Sequence, residues 1–223
     1  MTRLLVLTGV ELEARLLARH LGLVPASGGS RFAGGVLEIV SVGIAASQLA
    51  SRLQTTVSPT LVISAGVCGA LAPGLGVGAL VVPETVLGPG GQRHATAAVA
   101  GARRSGTLVT VDRVLEDAAA KSRLWLETGA LAVDMESSVI LAWAAARGVP
   151  GLVVRAVCDP AGRGVPADLA RAVGDDGRVR PVRAVATMLA RPRVLADAVA
   201  LRAGTAVALK TVAAALGSVA RSA

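Results

Sequence analysis

Short apolar runs alternate with amphipathic stretches along most of this chain. Residues 3–8 form the first β-rich run, and residues 11–21 carry Leu12, Leu16 and Leu17 between charged positions, as one face of an amphipathic helix does. Further strands are predicted at 36–42, 60–64, 79–82, 107–111, 131–133 and 152–157, with helices over 45–54, 117–127 and 136–147. This alternation is the pattern of a layered α/β domain. From Pro166 onward it turns helical, with breaks at Pro181 and Pro192. No repeat or long linker interrupts the 223 residues, a length that suits one domain over residues 1–223, with 178–223 as a helical tail.

Composition narrows the classes. Hydrophobic residues make up 53% and charged residues 17%, the reverse of the balance that keeps a chain disordered. Aromatics are 1%, so the stacking platforms of single-strand nucleic-acid readers are missing and no nucleic-acid partner is expected. Residues 53–83 contain no charge, yet Pro59, Pro73 and Pro83 cut them into pieces too short to cross a bilayer as a helix. The apolar start runs into Glu11 and Glu13, where a signal peptide needs small neutral residues, so it reads as a strand of a cytoplasmic protein. Cys68, Cys158, His20 and His94 show neither disulfide nor metal-ligand spacing, and no metal is expected. The net charge of +8 is uneven: from Arg178 onward eight basic residues face Asp197 alone, giving +7 and leaving +1 for residues 1–177. Of the 23 basic residues only Lys121 and Lys210 are lysine.

Candidate chemistry sits where apolar runs end. Residues 61–71 read as a buried strand entering a turn marked by Gly66 and Gly69, where backbone can approach a ligand. Gly74, Gly76 and Gly78 resemble part of a dinucleotide fingerprint, but they precede a strand instead of following one, so a Rossmann site is rejected. There is no Walker A sequence or nucleophile elbow, and no cofactor is expected. Asp134 and Glu136 flank Met135 where an apolar strand gives way to an apolar helix. They read either as a cap and a first-turn carboxylate or as functional groups. Arg155 and Asp159 close another buried run and read either as an ion pair or as part of a site.

Four anchors in order, Gly9-Val-Glu-Leu-Glu13, Gly66-Val-Cys-Gly69-Ala-Leu71, Val133-Asp-Met135-Glu136 and Arg155-Ala-Val-Cys158-Asp159, resemble the nucleoside phosphorylase and nucleosidase superfamily over roughly residues 1–172. Residues 128–137, Asp159-Pro-Ala161 with Arg163 and Pro166, Gly177-Arg-Val179 and the tail after Arg191-Pro192 are similar to its hopanoid-biosynthesis branch, which removes adenine from adenosylhopane. The resemblance implies a three-layer α/β/α sandwich with a mixed central sheet and C-terminal helices, acting as a purine nucleosidase on an adenosine derivative. A methylthioadenosine/S-adenosylhomocysteine nucleosidase, or a non-catalytic protein binding lipid or an acidic partner, remains the alternative.

Breaking an N-ribosidic bond requires a proton or hydrogen bond on the leaving base and activation of water on the opposite face, tasks that two carboxylates can divide. By resemblance Asp159 is the acid at purine N7, Glu13 the base for water, and Arg155 the group that orients Glu13. Glu136 accepts from both ribose hydroxyls and Met135 packs under the sugar. Val10, Val42, Val67, Cys68, Gly69, Val114, Leu115, Val133 and Asp134 complete the implied substrate-binding set, with Val114 where relatives often stack an aromatic. Hexameric phosphorylases of the superfamily carry an Arg and a hydroxyl residue where this chain has Ser64 and Val67, which favours water over phosphate as nucleophile. A homodimer is expected, held by its basic tail at the anionic inner membrane face, where a lipid-linked nucleoside resides.

Overall fold

The structure is a computed structural model that describes residues 2–26, 30–54, 58–164, 177 and 192–223. Its sheet is built on β1 (Leu4–Thr8), a fully buried strand. Leu4 and Val6 face one side and pack with Leu17 of α1 (Glu11–Leu21) and with Leu209, Val212 and Leu216 of α5 (Pro192–Arg221). Leu5 and Leu7 face the other side, against Leu49 of α2 (Leu49–Arg52) and Ile140 and Ala144 of α4 (Ser137–Ala145). A strand buried on both faces needs a continuous apolar run, which is what residues 4–7 supply. Helices cover both faces, as the three-layer expectation requires.

β1 pairs in parallel with β4 (Leu37–Ser41) and β5 (Leu61–Ala70), and β5 pairs in parallel with β11 (Gly151–Asp159). On the outer side of β4 lies β3 (Arg31–Gly34), which in turn pairs with β2 (Val24–Pro25), both antiparallel. Beyond β5 the order runs through β10 (Ala132–Asp134), β9 (Thr107–Thr110), β7 (Thr85–Leu87) and β8 (Arg93–Ala95). β6 (Leu80–Val81) pairs antiparallel with β11. The sheet is mixed, as expected.

β5 positions the site. Its first half pairs with β1 up to Ser64, opposite Leu7, and its far end pairs antiparallel with β10 from Gly69, opposite Val133. Between these partners residues 65–68 have no ladder neighbour on that side, while β11 continues along the other. Backbone groups at the gap are therefore left to side chains or ligand.

Two expectations change. The glycine-marked turn after residue 64 is a continuation of β5, because β11 supplies ladder partners from Val62 to Gly69. The helix expected over 45–54 shrinks to a 3₁₀ turn at Ile44–Ala46 followed by α2. Ala45 and Ala46 have φ of 51° and 56°, and the Ala45 N–H donates to Glu136 Oε1 at 3.3 Å. A site contact overrides helix propensity there. Pro192, expected to mark a break, is the first residue of α5, where its missing N–H is harmless. Pro166, Pro181, Arg178 and Val179 lie outside the described residues.

Candidate active site

Glu13 stands in the first turn of α1 and is 6% exposed. Its Oε2 accepts the Val10 N–H at 3.1 Å, and its Oε1 accepts the Val67 N–H at 2.9 Å, in the unpaired stretch of β5. Burial raises its pKa above the usual carboxylate range, against the pull of Arg155 and of these two N–H donors. A Cβ on Gly66 would lie 2.6 Å from Glu13 Oε1, so the carboxylate can reach β5 only over a glycine.

Asp134 and Glu136 divide between the two readings open in the sequence. Asp134, on β10, accepts from the Ser137 N–H at 3.3 Å and from Thr110 Oγ1 at 2.7 Å, and so caps the start of α4. Glu136 instead turns toward the cavity. Its Oε1 lies where a Cβ on Gly9 would sit 2.7 Å away, which explains the glycine that follows β1. Burial pushes the Glu136 carboxyl up to about 7, with Arg155 opposing and Asp134 and Glu13 reinforcing.

Arg155, 1% exposed on β11, was expected on Glu13, and this changes. Its Nη2 lies 2.9 Å from Asp134 Oδ2 and 3.2 Å from Glu136 Oε2, and donates to Ser64 Oγ at 3.0 Å. Its Nη1 donates to the Val67 carbonyl at 3.2 Å. Two carboxylates at the end of β10 collect the guanidinium, and Glu13 is held by backbone N–H groups instead. The shared tether is the Val67 peptide, which gives its N–H to Glu13 and its carbonyl to Arg155.

Asp159 ends β11 and is 5% exposed. Its Oδ2 pairs with Lys121 Nζ, and its Oδ1 accepts the Cys158 thiol at 3.0 Å. Lys121 comes from α3 (Ala118–Thr128), where it is the buried residue, and also donates to the Pro160 carbonyl at 3.0 Å.

These groups line one cavity of about 190 Å³. Of the expected residues, Val10, Glu13, Val67, Cys68, Gly69, Val114, Leu115, Val133, Asp134, Met135, Glu136, Arg155 and Asp159 all line it. Val42 does not: it is fully buried beside Leu5, Leu7 and Leu49 in the core beneath. Its backbone N–H bonds Thr8 O at 2.8 Å, which secures the chain next to the site. The lining also includes Ile44, Val111, Arg113 and Lys121, which sequence reasoning missed. Lys121 left one trace, its rarity in an arginine-rich chain. Residues 84–106 contribute no side of the cavity, because they form the β7–β8 edge of the sheet.

Chemically, the cavity is lined by two carboxylates of raised pKa, Glu13 and Glu136, and by the Asp159–Lys121 pair, among apolar side chains. Carboxylates in different surroundings can divide acid and base work on a single bond.

The phosphorylase superfamily model matches residues 3–100 and 94–190. A 5′-methylthioadenosine/S-adenosylhomocysteine nucleosidase of Mycobacterium bovis is 37% identical over 84 residues, 36% of this chain and 33% of that protein. The chain thus spans about a third of the length of the curated relatives it matches. Among solved structures, the 5′-methylthioadenosine/S-adenosylhomocysteine nucleosidase of Neisseria meningitidis in complex with methylthio-immucillin-A aligns at a TM-score of 0.72, with 18% identity over 100% of both chains. Futalosine hydrolase of Helicobacter pylori aligns at 0.69, with 17% identity over 98% of this chain and 97% of that one. Likeness at these identities is one of fold. The family match is of another order, because it runs through the strands of the central sheet and takes in all four anchors around the cavity, and by it this chain belongs to the phosphorylase superfamily.

Proposed function

We propose that the protein is a purine nucleosidase that hydrolyses the N-ribosidic bond of an adenosine derivative. The observation that carries this is the convergence of Glu13 from α1, Glu136 from the β10–α4 junction, and Arg155 and Asp159 from β11 on one cavity. In this reading Glu13 takes a proton from water while its neighbours fix its direction. Glu136 accepts from the two vicinal hydroxyls of the ribose, and Asp159 meets N7 of the base. Met135 lies under the sugar, and Val114 and Leu115 flank the base in place of an aromatic.

Water is the nucleophile we infer. Ser64 stands where hexameric phosphorylases carry an arginine, and its hydroxyl is already bonded to Arg155 and Ser137 in the core. Arg155 is itself matched by Asp134 and Glu136, so no free cation is offered there to a phosphate.

Adenosylhopane is the derivative we favour, on the likeness of residues 128–137 and 159–163 to the hopanoid branch and on the basic tail. The alternative is 5′-methylthioadenosine or S-adenosylhomocysteine, which the Mycobacterium bovis relative supports. A panel of these three nucleosides, with adenosylhopane in detergent micelles, separates them by released adenine. Turnover of adenosylhopane at least tenfold faster than the other two is expected; the reverse order assigns the soluble nucleosidase activity.

A further inference from the structure

An acid that protonates a leaving base must hold a proton, and the geometry at Asp159 places that proton on a neighbour. Both carboxylate oxygens accept: Oδ2 from Lys121 Nζ, and Oδ1 from the Cys158 thiol at 3.0 Å. With an ammonium donor at one oxygen and a thiol donor at the other, both lone-pair positions facing these groups are taken up in accepting. The thiol is a poor source, because burial and the adjacent Asp159 charge push its pKa up. Lys121 is 1% exposed, and its other contacts are the carbonyls of Pro160 at 3.0 Å and Asp159 at 3.4 Å. A Cβ on Gly69 would approach Asp159 Oδ2 at 3.2 Å and Lys121 Nζ at 3.3 Å, so the pair stands against the glycine that opens it to the cavity. The chemistry of the residue agrees. Almost every basic residue in this chain is arginine, which cannot give up a proton, whereas the cation here is one of two lysines, which can.

We propose that Lys121 supplies the proton that leaves with the base, acting through Asp159. This rests on the nucleosidase reading above. As the C1′–N9 bond breaks and its electron pair enters the purine, the proton on Asp159 Oδ2, drawn from Nζ, forms the N7–H bond. Asp159 returns to carboxylate and Lys121 becomes a neutral amine. The water oxygen bonds to C1′, its proton passes to Glu13, and exchange with solvent returns a proton from Glu13 to Lys121. The sum is nucleoside plus water to free base plus pentose.

The test compares Lys121→Met and Lys121→Arg on a purine nucleoside and on 4-nitrophenyl β-ribofuranoside, whose leaving group departs as a stable anion without a proton. General acid catalysis is worth about 10²- to 10⁴-fold. The ratio of the nitrophenyl rate to the purine rate is therefore expected to rise by at least about 30-fold in both variants. Lys121→Arg keeps the charge partner of Asp159, so its ratio stands even where Lys121→Met does not fold. A ratio within threefold of wild type, or recovery of the purine rate by Lys121→Arg, overturns the proposal and makes Lys121 an anchor of the 158–160 turn. Wild-type protein that releases no base from any nucleoside overturns the parent reading instead.

Discussion

At the residue scale, the site is built from charged groups withheld from water, and each is made tolerable by a particular neighbour. Arg155 sits between Asp134 and Glu136 and is, among the described residues, the largest fully buried side chain. Removing one member of such a cluster leaves a buried charge unpaired, which typically costs about 3–5 kcal/mol. Glu136 titrates where a working enzyme would feel it. Its carboxyl is pushed up to about 7, mainly by burial, so it is ionised above that pH and protonated below. Only the ionised form accepts from both ribose hydroxyls with both oxygens. KM for the nucleoside is therefore expected to rise as pH falls through about 7. In Glu136→Gln, KM should be high and flat across the same range. A wild-type KM independent of pH between about 6 and 8 would remove Glu136 from sugar binding.

At the level of elements, the gap in β5 between β1 and β10 explains why a site exists at this place. Paired strands on both sides would have used the Val67 N–H and carbonyl in a ladder; instead they hold Glu13 and Arg155. The helix α5 closes the opposite face of the sheet. Leu209 is fully buried there among residues of β1, β11 and α1, so Leu209→Ala is expected to cost about 2–5 kcal/mol in chemical denaturation. A loss below about 0.5 kcal/mol would mean that α5 does not share the core. The same elements show what the sequence could carry. β1, α1 and β11 were legible because an unbroken apolar run or a clean helical stripe is local information. The edge pairs β2–β3 and β7–β8 were not, since such short strands exist only through their partners. The 44–46 turn was hidden for a similar reason, its backbone being set by Glu136, far along the chain. Most of the cavity lining followed from motifs at strand ends, whereas Lys121 is brought to Asp159 by the packing of α3, which no spacing records.

On the scale of the whole molecule, α5 has two faces with different chemistry. Residues 198–221 are long and apolar enough to cross a membrane by composition, yet Leu209, Val212 and Leu216 are committed to the core. Arg202, Lys210 and Arg221 are exposed, as are Val199 and Val207 at 61% and 51%. An outer face of this kind suits peripheral contact with an anionic leaflet, where each basic residue contributes about 1 kcal/mol. Sedimentation with anionic vesicles is expected to pellet the protein at low salt and release it at high salt. The Arg202→Gln, Lys210→Gln pair should weaken binding by about 30-fold, and equal binding to neutral and anionic vesicles would dismiss the surface role. Product identity separates hydrolysis at the cavity of Glu13 and Asp159 from phosphorolysis. Wild-type protein, given an adenosine derivative with and without inorganic phosphate, should release adenine and free pentose at the same rate in both. Asp159→Asn should lose about 10²- to 10⁴-fold of that rate. Pentose 1-phosphate whose yield rises with phosphate would make the enzyme a phosphorylase, and an Asp159→Asn rate within threefold of wild type would take Asp159 out of the chemistry.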